Sequence, residues 1–360
     1  MDNLNKVYIT ETDTLISQGI YHLTFELSEQ QRFASGEILR AIKTFNTKLL
    51  YAVTGAGKTE MIFEGISYAR KHGYNIAIVS PRVDVVLEVS SRIKAAFRKE
   101  AIDILYQGHG QCYNGHFVVA TIHQLYRFKE HFDLVIVDEV DAFPLSMDES
   151  LLNAIKYASK QRCCHIYMTA TPPVSLIRKI EQNDIITLPA RFHRHHLPVP
   201  EFKFYKINPY RIQYYLLKLI NQQIASKRYT LVFFNNISQM KLMYHYYKKK
   251  INQLTYVHSE DTLRFEKIEA LRSGHYKVIF TTTILERGFT MANLDVIVLN
   301  SHKFESSALV QIAGRVGRKL EAPTGLVLFL HEGITIEMLK ARKNIKRMNK
   351  LGVKKGWLNA

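Results

Sequence analysis

Short runs of apolar residues recur along the chain, and each is followed by a stretch with the spacing of an amphipathic helix. In the first half the runs lie at 48–53, 75–80, 116–121, 133–138 and 164–169. In the second half they lie at 230–235, 255–259, 277–282, 295–300 and 325–331. Apolar runs without polar alternation are typical of strands covered on both faces, and their alternation with helices is typical of parallel sheets. The pattern therefore predicts two tandem α/β domains, each a mainly parallel sheet flanked by helices.

The segment LPARFHRHHLPVPEF (188–202) separates the two series. It contains three prolines and has neither a helical nor a strand period. Its histidines, His193, His195 and His196, are compatible with a metal site, but no further ligand follows at a suitable spacing, so a solvated linker is the simpler interpretation. We expect an N-terminal extension, a first domain, a linker, a second domain and a basic tail at 1–26, 27–190, 191–204, 205–348 and 349–360.

The composition adds an expectation about partners and location. The 360 residues carry 49 Lys and Arg against 32 Asp and Glu, a net charge of +17, which indicates a polyanionic partner such as nucleic acid or an acidic membrane surface. The three cysteines are too few for a four-cysteine zinc site and favour a reducing compartment. Neither a signal peptide nor an apolar stretch of about 20 residues is present. We therefore expect a cytoplasmic protein, or one peripheral to the inner face of the cell membrane.

The stretch AVTGAGKTE (52–60) follows the first apolar run and precedes a helical pattern, which is the context of a phosphate-binding P-loop. The general pattern has a glycine where this chain has Ala52. Glycines let successive N–H groups point at one phosphate, while Lys58 supplies charge to the β- and γ-phosphates and Thr59 offers a hydroxyl to Mg²⁺. The expected nucleotide contacts here are Thr54, Gly55, Ala56, Gly57, Lys58, Thr59 and Glu60.

A P-loop enzyme also needs a carboxylate for the metal and a base for water. The stretch DLVIVDEVD (133–141) supplies both at the end of a buried strand: Asp138 for Mg²⁺ and Glu139 for the attacking water. Because a P-loop is also present, a metal and water site is favoured over an acidic strand end without function. ATP and Mg²⁺ are therefore the expected cofactors.

Further motifs lie in a fixed order around these two. They are LSEQQ (27–31), SPR (80–82), ATIHQL (120–125), TAT (169–171), TTTILERGFT (281–290) and QIAGRVGR (311–318). In this order they resemble the Q motif and motifs Ia to VI of superfamily 2 helicases, and the likeness covers residues 27–320. Seven or more short matches in sequence order are far more specific than any one of them.

The resemblance implies two RecA-like domains with ATP in the cleft between them, and it assigns further residues. Arg315 and Arg318 would stabilise charge on the transferring phosphoryl group. Gln31 would read adenine, and Gly288 and Gln311 would also contact the nucleotide. Asp141 would link to Thr169 and Thr171 and couple the nucleotide to the state of the domains. Nucleic-acid contacts would come from Ser80, Pro81, Arg82, Thr121, His123, Thr281 and Thr282.

Particular stretches narrow the resemblance. GAGKTEM, SPRVDVVLEV, DEVDAFP and the 188–200 segment are similar to ComFA-type late-competence ATPases of Gram-positive bacteria. This likeness implies a single-stranded DNA translocase or helicase that drives uptake of transforming DNA, in partnership with the competence DNA-uptake machinery at the membrane. Members of that family typically carry an N-terminal four-cysteine zinc module. No Cys precedes the Q motif here, so no zinc is expected in this chain.

Three alternatives remain open at this point. A replication-restart helicase of the PriA type shares the core but is expected to carry paired CxxC zinc ligands, and none occurs here. An RNA helicase stays possible because phosphate contacts say little about sugar identity. A nucleic-acid-binding scaffold with a vestigial ATPase conflicts with the intact Lys58, Asp138, Glu139, Arg315 and Arg318. The pattern contains no large insertion that could split a duplex, which favours a translocase with weak or absent unwinding.

Overall fold

The structure is a computed structural model, and it describes residues 14–107, 115–142, 145, 148–286 and 289–359. The chain divides into two compact units, with the division between Leu188 and Pro189. Each unit is an α/β layer structure around one sheet. The tandem α/β architecture expected from the sequence pattern is therefore confirmed. Among the helices described, none is long and apolar enough to cross a membrane.

Unit 1, up to Leu188, is built on a seven-stranded sheet in the order β3-β4-β2-β5-β6-β1-β7, and every pairing is parallel. Its strands are β1 Lys48–Ala52, β2 Ile76–Ser80, β3 Asp103–Leu105, β4 Phe117–Thr121, β5 Phe132–Asp138, β6 Ser159–Thr169 and β7 Ile185–Leu188. Its helices are α1 Glu29–Thr44, α2 Lys58–Met61, α3 Phe63–Lys71, α4 Val83–Ala96, α5 Glu149–Ala158 and α6 Val174–Lys179. Because helices cover both faces, β1, β2 and β4 are buried at every position.

Unit 2, from Pro189, is built on a six-stranded sheet in the order β10-β11-β9-β12-β13-β8, again with parallel pairings throughout. Its strands are β8 Glu201–Phe204, β9 Tyr229–Phe233, β10 Leu254–Val257, β11 Val278–Thr281, β12 Leu294–Val298 and β13 Val327–His331. Its helices are α7 Tyr214–Ala225, α8 Ile237–Tyr247, α9 Arg264–Arg272, α10 Ser306–Ala313 and α11 Ile336–Lys354.

The structure departs from the expected solvated linker at 191–204. Arg191 is fully buried, His193 is 7% exposed, and β8 pairs in parallel with β13 at the edge of the second sheet. The apolar-run criterion missed this strand because its burial pattern is mostly exposed, and it also missed the short strands β3 and β7. At the C-terminus, α11 continues to Lys354, so the first part of the expected basic tail is helical.

Candidate active site

The P-loop joins β1 to α2 and has the backbone shape that phosphate binding requires. Gly55 and Gly57 adopt φ values of +81° and +79°, a left-handed region that favours glycine. A Cβ at Gly57 would lie 2.4 Å from the Gln31 side-chain nitrogen, so the position also has no room for a side chain. Thr54 and Thr59 are buried beside the turn. The loop therefore presents backbone N–H groups at a helix N-terminus.

Gln31 ties helix α1 to this loop. Its side-chain Nε2 donates to the Ala56 carbonyl at 2.9 Å, and its Oε1 accepts from the Ser28 N–H at 2.9 Å. Gln31 is 3% exposed, so both ends of the carboxamide are held in place. The residue expected to read adenine thus contacts the phosphate-binding loop directly. Glu60, also expected at the nucleotide, forms a salt bridge with Arg92 of α4 at 3.1 Å.

Lys58 and Asp138 face each other across the mouth of the P-loop. The Lys58 Nζ lies 3.5 Å from Asp138 Oδ1, and both side chains are largely buried. A buried ammonium and a carboxylate at this spacing, beside a threonine hydroxyl and a cradle of N–H groups, form the donor set that a magnesium nucleotide uses. The site residues therefore fit the expected ATP and Mg²⁺.

Glu139 follows Asp138 in an unusual backbone conformation. Its φ is +56°, and for a residue with a side chain the left-handed conformation costs about 1 to 2 kcal/mol. Its N–H donates to Asp138 Oδ1 at 2.9 Å, while its carbonyl accepts from the Ala142 N–H. Non-glycine residues held in this region are concentrated at functional sites. Asp138, the last residue of β5, and Glu139 therefore differ in backbone conformation.

Asp141 contacts both threonines to which the family resemblance links it. Its carboxylate accepts hydrogen bonds from the hydroxyls of Thr169 and Thr171. The Thr171 N–H also donates to the Thr169 hydroxyl at 2.9 Å. Thr169 is completely buried at the end of β6, which pairs with β5. The loops after β5 and β6 are thus joined by a compact polar cluster; whether it couples ATP to strand binding stays a prediction.

The candidate nucleic-acid residues of unit 1 lie on the same sheet edge. β2 and β4 pair in register, so that Ser80 lies opposite Thr121 at their carboxyl ends. His123 is exposed in the turn after β4. Pro81 is buried, and the Arg82 guanidinium lies 3.5 Å from the Asp84 carboxylate with 18% of its side chain exposed. His123 is therefore the most accessible of this group, whereas Arg82 is already engaged with a neighbour.

In unit 2, Arg315 and Arg318 differ in their surroundings. Arg315 is 2% exposed and donates to the carbonyls of Glu286 and Phe289. Arg318 is less buried, and it donates to the Gly314 carbonyl at 2.8 Å and to the Thr290 hydroxyl at 3.4 Å.

The remaining candidate residues of unit 2 differ in how deeply they are buried. Gln311 is buried on α10, Thr281 is completely buried at the end of β11, and Thr282 is half-buried. Gly288 lies outside the described residues. The sequence motifs therefore hold a mixture of accessible and buried side chains.

Sequence reasoning missed Arg191 and underrated His193. The Arg191 guanidinium donates to the carbonyls of Gly314, Val316 and Gly317, and His193 Nε2 donates to the Gly317 carbonyl at 2.9 Å. Since His193 Nδ1 accepts from the His195 N–H, its proton resides on Nε2. These two residues enclose the turn that carries Arg315 and Arg318. The sequence shows only an arginine in an apolar and histidine-rich stretch, and the local periodicity of such a stretch does not predict that the arginine is buried.

Two family models match the chain. The model described as "Type III restriction enzyme, res subunit" matches residues 24–174, and "Helicase conserved C-terminal domain" matches residues 213–319. Competence protein ComFA of Bacillus subtilis is 39% identical over 341 residues, which cover 91% of this chain and 73% of the relative. ComFA of Streptococcus pneumoniae is 35% identical over 356 residues, which cover 96% of this chain and 82% of the relative.

The fold also has relatives of known structure. Saccharomyces cerevisiae Dbp5, bound to RNA and ADP BeF3, superimposes with a TM-score of 0.63 at 12% identity, covering 89% of this chain and 91% of that one. At that identity the likeness concerns the fold alone. Two RecA-like units, a P-loop facing an Asp-Glu strand end and the two helicase-type matches define an ATP-hydrolysing enzyme of helicase superfamily 2. Within that class, the chain belongs to the competence protein ComFA family.

Proposed function

We propose that this chain is an ATP-driven motor that moves along single-stranded DNA and helps to draw transforming DNA into the cell during natural competence. The observation that carries the proposal is the row of strand ends on one edge of the first sheet. β1 leads into the P-loop, β6 and β5 end in Thr169 and Asp138, and β2 and β4 end in Ser80 and Thr121. Nucleotide-binding and strand-binding groups on one rigid edge let a change at one be transmitted to the other.

The chemistry proposed for unit 1 divides among four side chains. When bound, magnesium ATP supplies the phosphoryl group and the metal charge that offsets its negative charge. Lys58 binds phosphate oxygens, and Thr59 and Asp138 hold the metal. Glu139 accepts the proton of the attacking water. The left-handed backbone conformation of Glu139 supports this division, because such conformations are concentrated at functional sites.

We propose different roles for the two arginines of unit 2. Arg318 supplies the positive charge that stabilises the transition state, a contribution of about 10³ to 10⁵ in rate in other P-loop enzymes. Arg315 has a structural role, because its guanidinium holds the carbonyls of Glu286 and Phe289 in place. The greater exposure of Arg318 supports the assignment.

Hydrolysis measured with different polynucleotides tests this function. We expect strong stimulation by single-stranded DNA, weak stimulation by single-stranded RNA or duplex DNA, and little unwinding of a tailed duplex. Equal stimulation by RNA would reassign the chain as an RNA helicase. No turnover with any polynucleotide would indicate a scaffold, and efficient unwinding would contradict a simple translocase. Association with the membrane uptake machinery is a separate part of the proposal and needs co-purification from competent cells.

Two substitutions test the assigned chemistry. Lys58→Ala should abolish turnover, because the phosphates lose their charge partner. Glu139→Gln should lower kcat by about 10²- to 10⁴-fold, the usual contribution of a general base, while ATP still binds. Glu130→Gln is a matched control. Glu130 also has a left-handed backbone conformation (φ +46°), but it lies at an exposed position before β5. Wild-type turnover in Glu139→Gln would show that another group is the base.

A further inference from the structure

An aromatic and basic surface covers the start of unit 2. We define it as residues 203–218, KFYKINPYRIQYYLLK, which contain five aromatic and four basic residues and no Asp or Glu. Three of the rings are unusually exposed: Phe204 at 69%, Tyr210 at 70% and Tyr214 at 77%. Large aromatic side chains bury much of their area in folded proteins, so neighbouring exposed rings mark an interaction surface.

The exposed rings lie at the end of β8 (Phe204), in the loop that follows (Tyr210) and at the start of α7 (Tyr214), and side-chain hydrogen bonds close this loop. The Gln213 carboxamide closes the loop between β8 and α7, since its Oε1 accepts from the Asn208 N–H at 2.9 Å and its Nε2 donates to the Lys206 carbonyl at 2.8 Å. The Gln213 N–H in turn donates to the Tyr247 hydroxyl at 3.0 Å. Tyr205 and Tyr215 pack with ring centroids 5.2 Å apart and join the strand to the helix. These contacts hold the backbone around Tyr210 and Tyr214 before a ligand binds, which lowers the backbone entropy lost on binding.

Cations are interleaved with these rings. Lys206, Arg211 and Lys218 are exposed, and Lys218 follows Tyr214 by one helical turn on the same face of α7. The surface lies in a longer region, 202–259, whose 58 residues include ten Lys and Arg and no Asp or Glu. Glu201, immediately before this region, offsets only one of these charges, so the surface favours an anionic partner.

The position in the fold also favours a ligand. β8 runs parallel to β13, so Phe204 at its end lies on the carboxyl edge of the sheet, where open α/β sheets bind ligands. Thr281 ends β11 on the same edge, four strand intervals away in the sheet order, or about 19 Å. The aromatic and basic surface is therefore separate from the motif residues but on the same side of unit 2.

We propose that residues 203–218 form an additional binding site for single-stranded DNA, in which Tyr210 and Tyr214 stack on bases while Lys206 and Arg211 contact phosphates. Stacking platforms alternating with cations are the usual means of holding a single strand without reading its sequence. A duplex does not fit, because its base faces are already stacked on one another. The inference rests on the proposed function for the choice of single-stranded DNA as the polynucleotide.

An anionic membrane surface is the competing ligand for a basic and aromatic surface. A helix that lies in a membrane interface presents a broad apolar face. The exposed face of α7 continues from Tyr214 and Lys218 into Asn221 and Gln222, which are polar. The structure thus favours a strand that offers both flat bases and phosphates.

Binding to two fluorescent oligonucleotides of equal length tests the site: oligo-dT and an abasic strand that keeps the phosphates but lacks the bases. The full chain with Tyr210→Ala and Tyr214→Ala should bind oligo-dT about 5- to 100-fold more weakly for each lost stack, with unchanged affinity for the abasic strand. Tyr210→Phe and Tyr214→Phe should bind both strands as the wild type does. Lys206→Ala with Arg211→Ala should weaken both, and should reduce the slope of log K against log salt by about 1.4. Tyr157→Ala, at a 44% exposed tyrosine of unit 1, is the matched control and should change neither affinity.

Several outcomes would overturn the assignment. One is unchanged affinity for oligo-dT in the two tyrosine-to-alanine variants, and another is an equal loss of affinity for oligo-dT and for the abasic strand. A third is a loss of affinity for vesicles of anionic phospholipid with no loss for oligo-dT, which would make the surface a membrane contact. ATP hydrolysis by the wild type distinguishes a failure of the additional binding site from a failure of the proposed function. If single-stranded DNA stimulates ATP hydrolysis but the tyrosine variants bind normally, only the additional site is wrong. If the variants lose oligo-dT binding while hydrolysis is not stimulated, the site stands and the motor function fails.

Discussion

Arg191 is completely buried, and its guanidinium donates to three backbone carbonyls in the turn at 314–317. Burial lowers its pKa to about 9, and the charge of Arg318 acts in the same direction. At neutral pH Arg191 therefore stays protonated and retains its donors. Gly317 completes the arrangement with φ +69°, and a Cβ there would lie 2.2 Å from the Pro323 carbonyl oxygen. The turn that presents Arg318 is thus held from within by a residue more than a hundred positions earlier in the chain.

Replacing Arg191 should affect catalysis more than ATP binding. We expect Arg191→Met to lower kcat for ATP hydrolysis by about 10- to 100-fold with little change in KM, because a displacement of about 1 Å at a catalytic group has an effect of that size. Arg191→Lys should recover part of the rate, since it keeps a charged donor. Steady-state kinetics at a temperature below every variant's unfolding transition supplies the measurement.

The matched control for Arg191 is Arg194→Met. Arg194 is an exposed arginine of the same segment that donates to the Gly356 carbonyl. It should leave kcat unchanged. A proportional rise in KM for Arg191→Met, or an equal loss of rate in Arg194→Met, would show that Arg191 does not position the arginine turn.

At the scale of elements, the ends of β5 and β6 are joined by the contacts of Asp141 with Thr169 and Thr171. Their strands are central in the first sheet, between the strand that leads into the P-loop and the strand that ends at Ser80. The cluster therefore lies between the P-loop and the strand ends that we propose to contact DNA.

The prediction at this scale is a loss of stimulation rather than of basal turnover. Asp141→Ala should keep basal ATP hydrolysis within about threefold and lose most of the stimulation by single-stranded DNA, because coupling energies of this kind are typically 1 to 3 kcal/mol. Hydrolysis rates across a range of DNA concentrations measure both quantities. Asp148→Ala is the control; Asp148 caps α5 by accepting a hydrogen bond from the Ser150 N–H, so removal of its carboxylate should affect stability alone. Full stimulation in Asp141→Ala would remove the cluster from the coupling route.

At the scale of the whole molecule, buried histidines in both units make stability depend on pH. Burial is the main cause that lowers the pKa of His131, His165 and His193 below the usual 6.5. Above pH 6.5 these imidazoles are neutral in both the folded and unfolded chain. As the pH falls below 6.5, the unfolded chain binds protons first, so the free energy of unfolding decreases until the folded pKa values are reached.

Urea unfolding at pH 7.5 and pH 5.5 measures this effect. The midpoint should be lower at pH 5.5, and the pH dependence should be smaller in His131→Asn, which removes one of the groups. The carboxylates of Asp148 and Glu337 have lowered pKa values, so the stability they contribute is lost only at still lower pH. A midpoint that is higher at pH 5.5 would contradict the assignment.

The parts of the molecule that depend on local pattern were predictable from the sequence. All ten strands predicted from apolar runs are present, because a strand covered on both faces must be apolar along its length. The P-loop likewise lies between β1 and α2, since its chemistry depends on consecutive residues. The exposed strand β8 and the short strands β3 and β7 were not predicted, because they bury too few positions to give a recognisable apolar run.

The sequence by itself determined two α/β units and predicted Lys58, Asp138 and Glu139 as candidate residues of a nucleotide site, because consecutive residues encode strand burial and phosphate chemistry. Only the tertiary structure decided which residues distant in sequence contact one another and which side chains are exposed. The contact of Arg191 with Gly314 spans 123 positions, and no local period records a contact of that separation. In the same way, tyrosine has equal apolar character in a core and on a surface, so only the packing of α7 and of the loop before it shows Tyr214 and Tyr210 exposed beside basic residues.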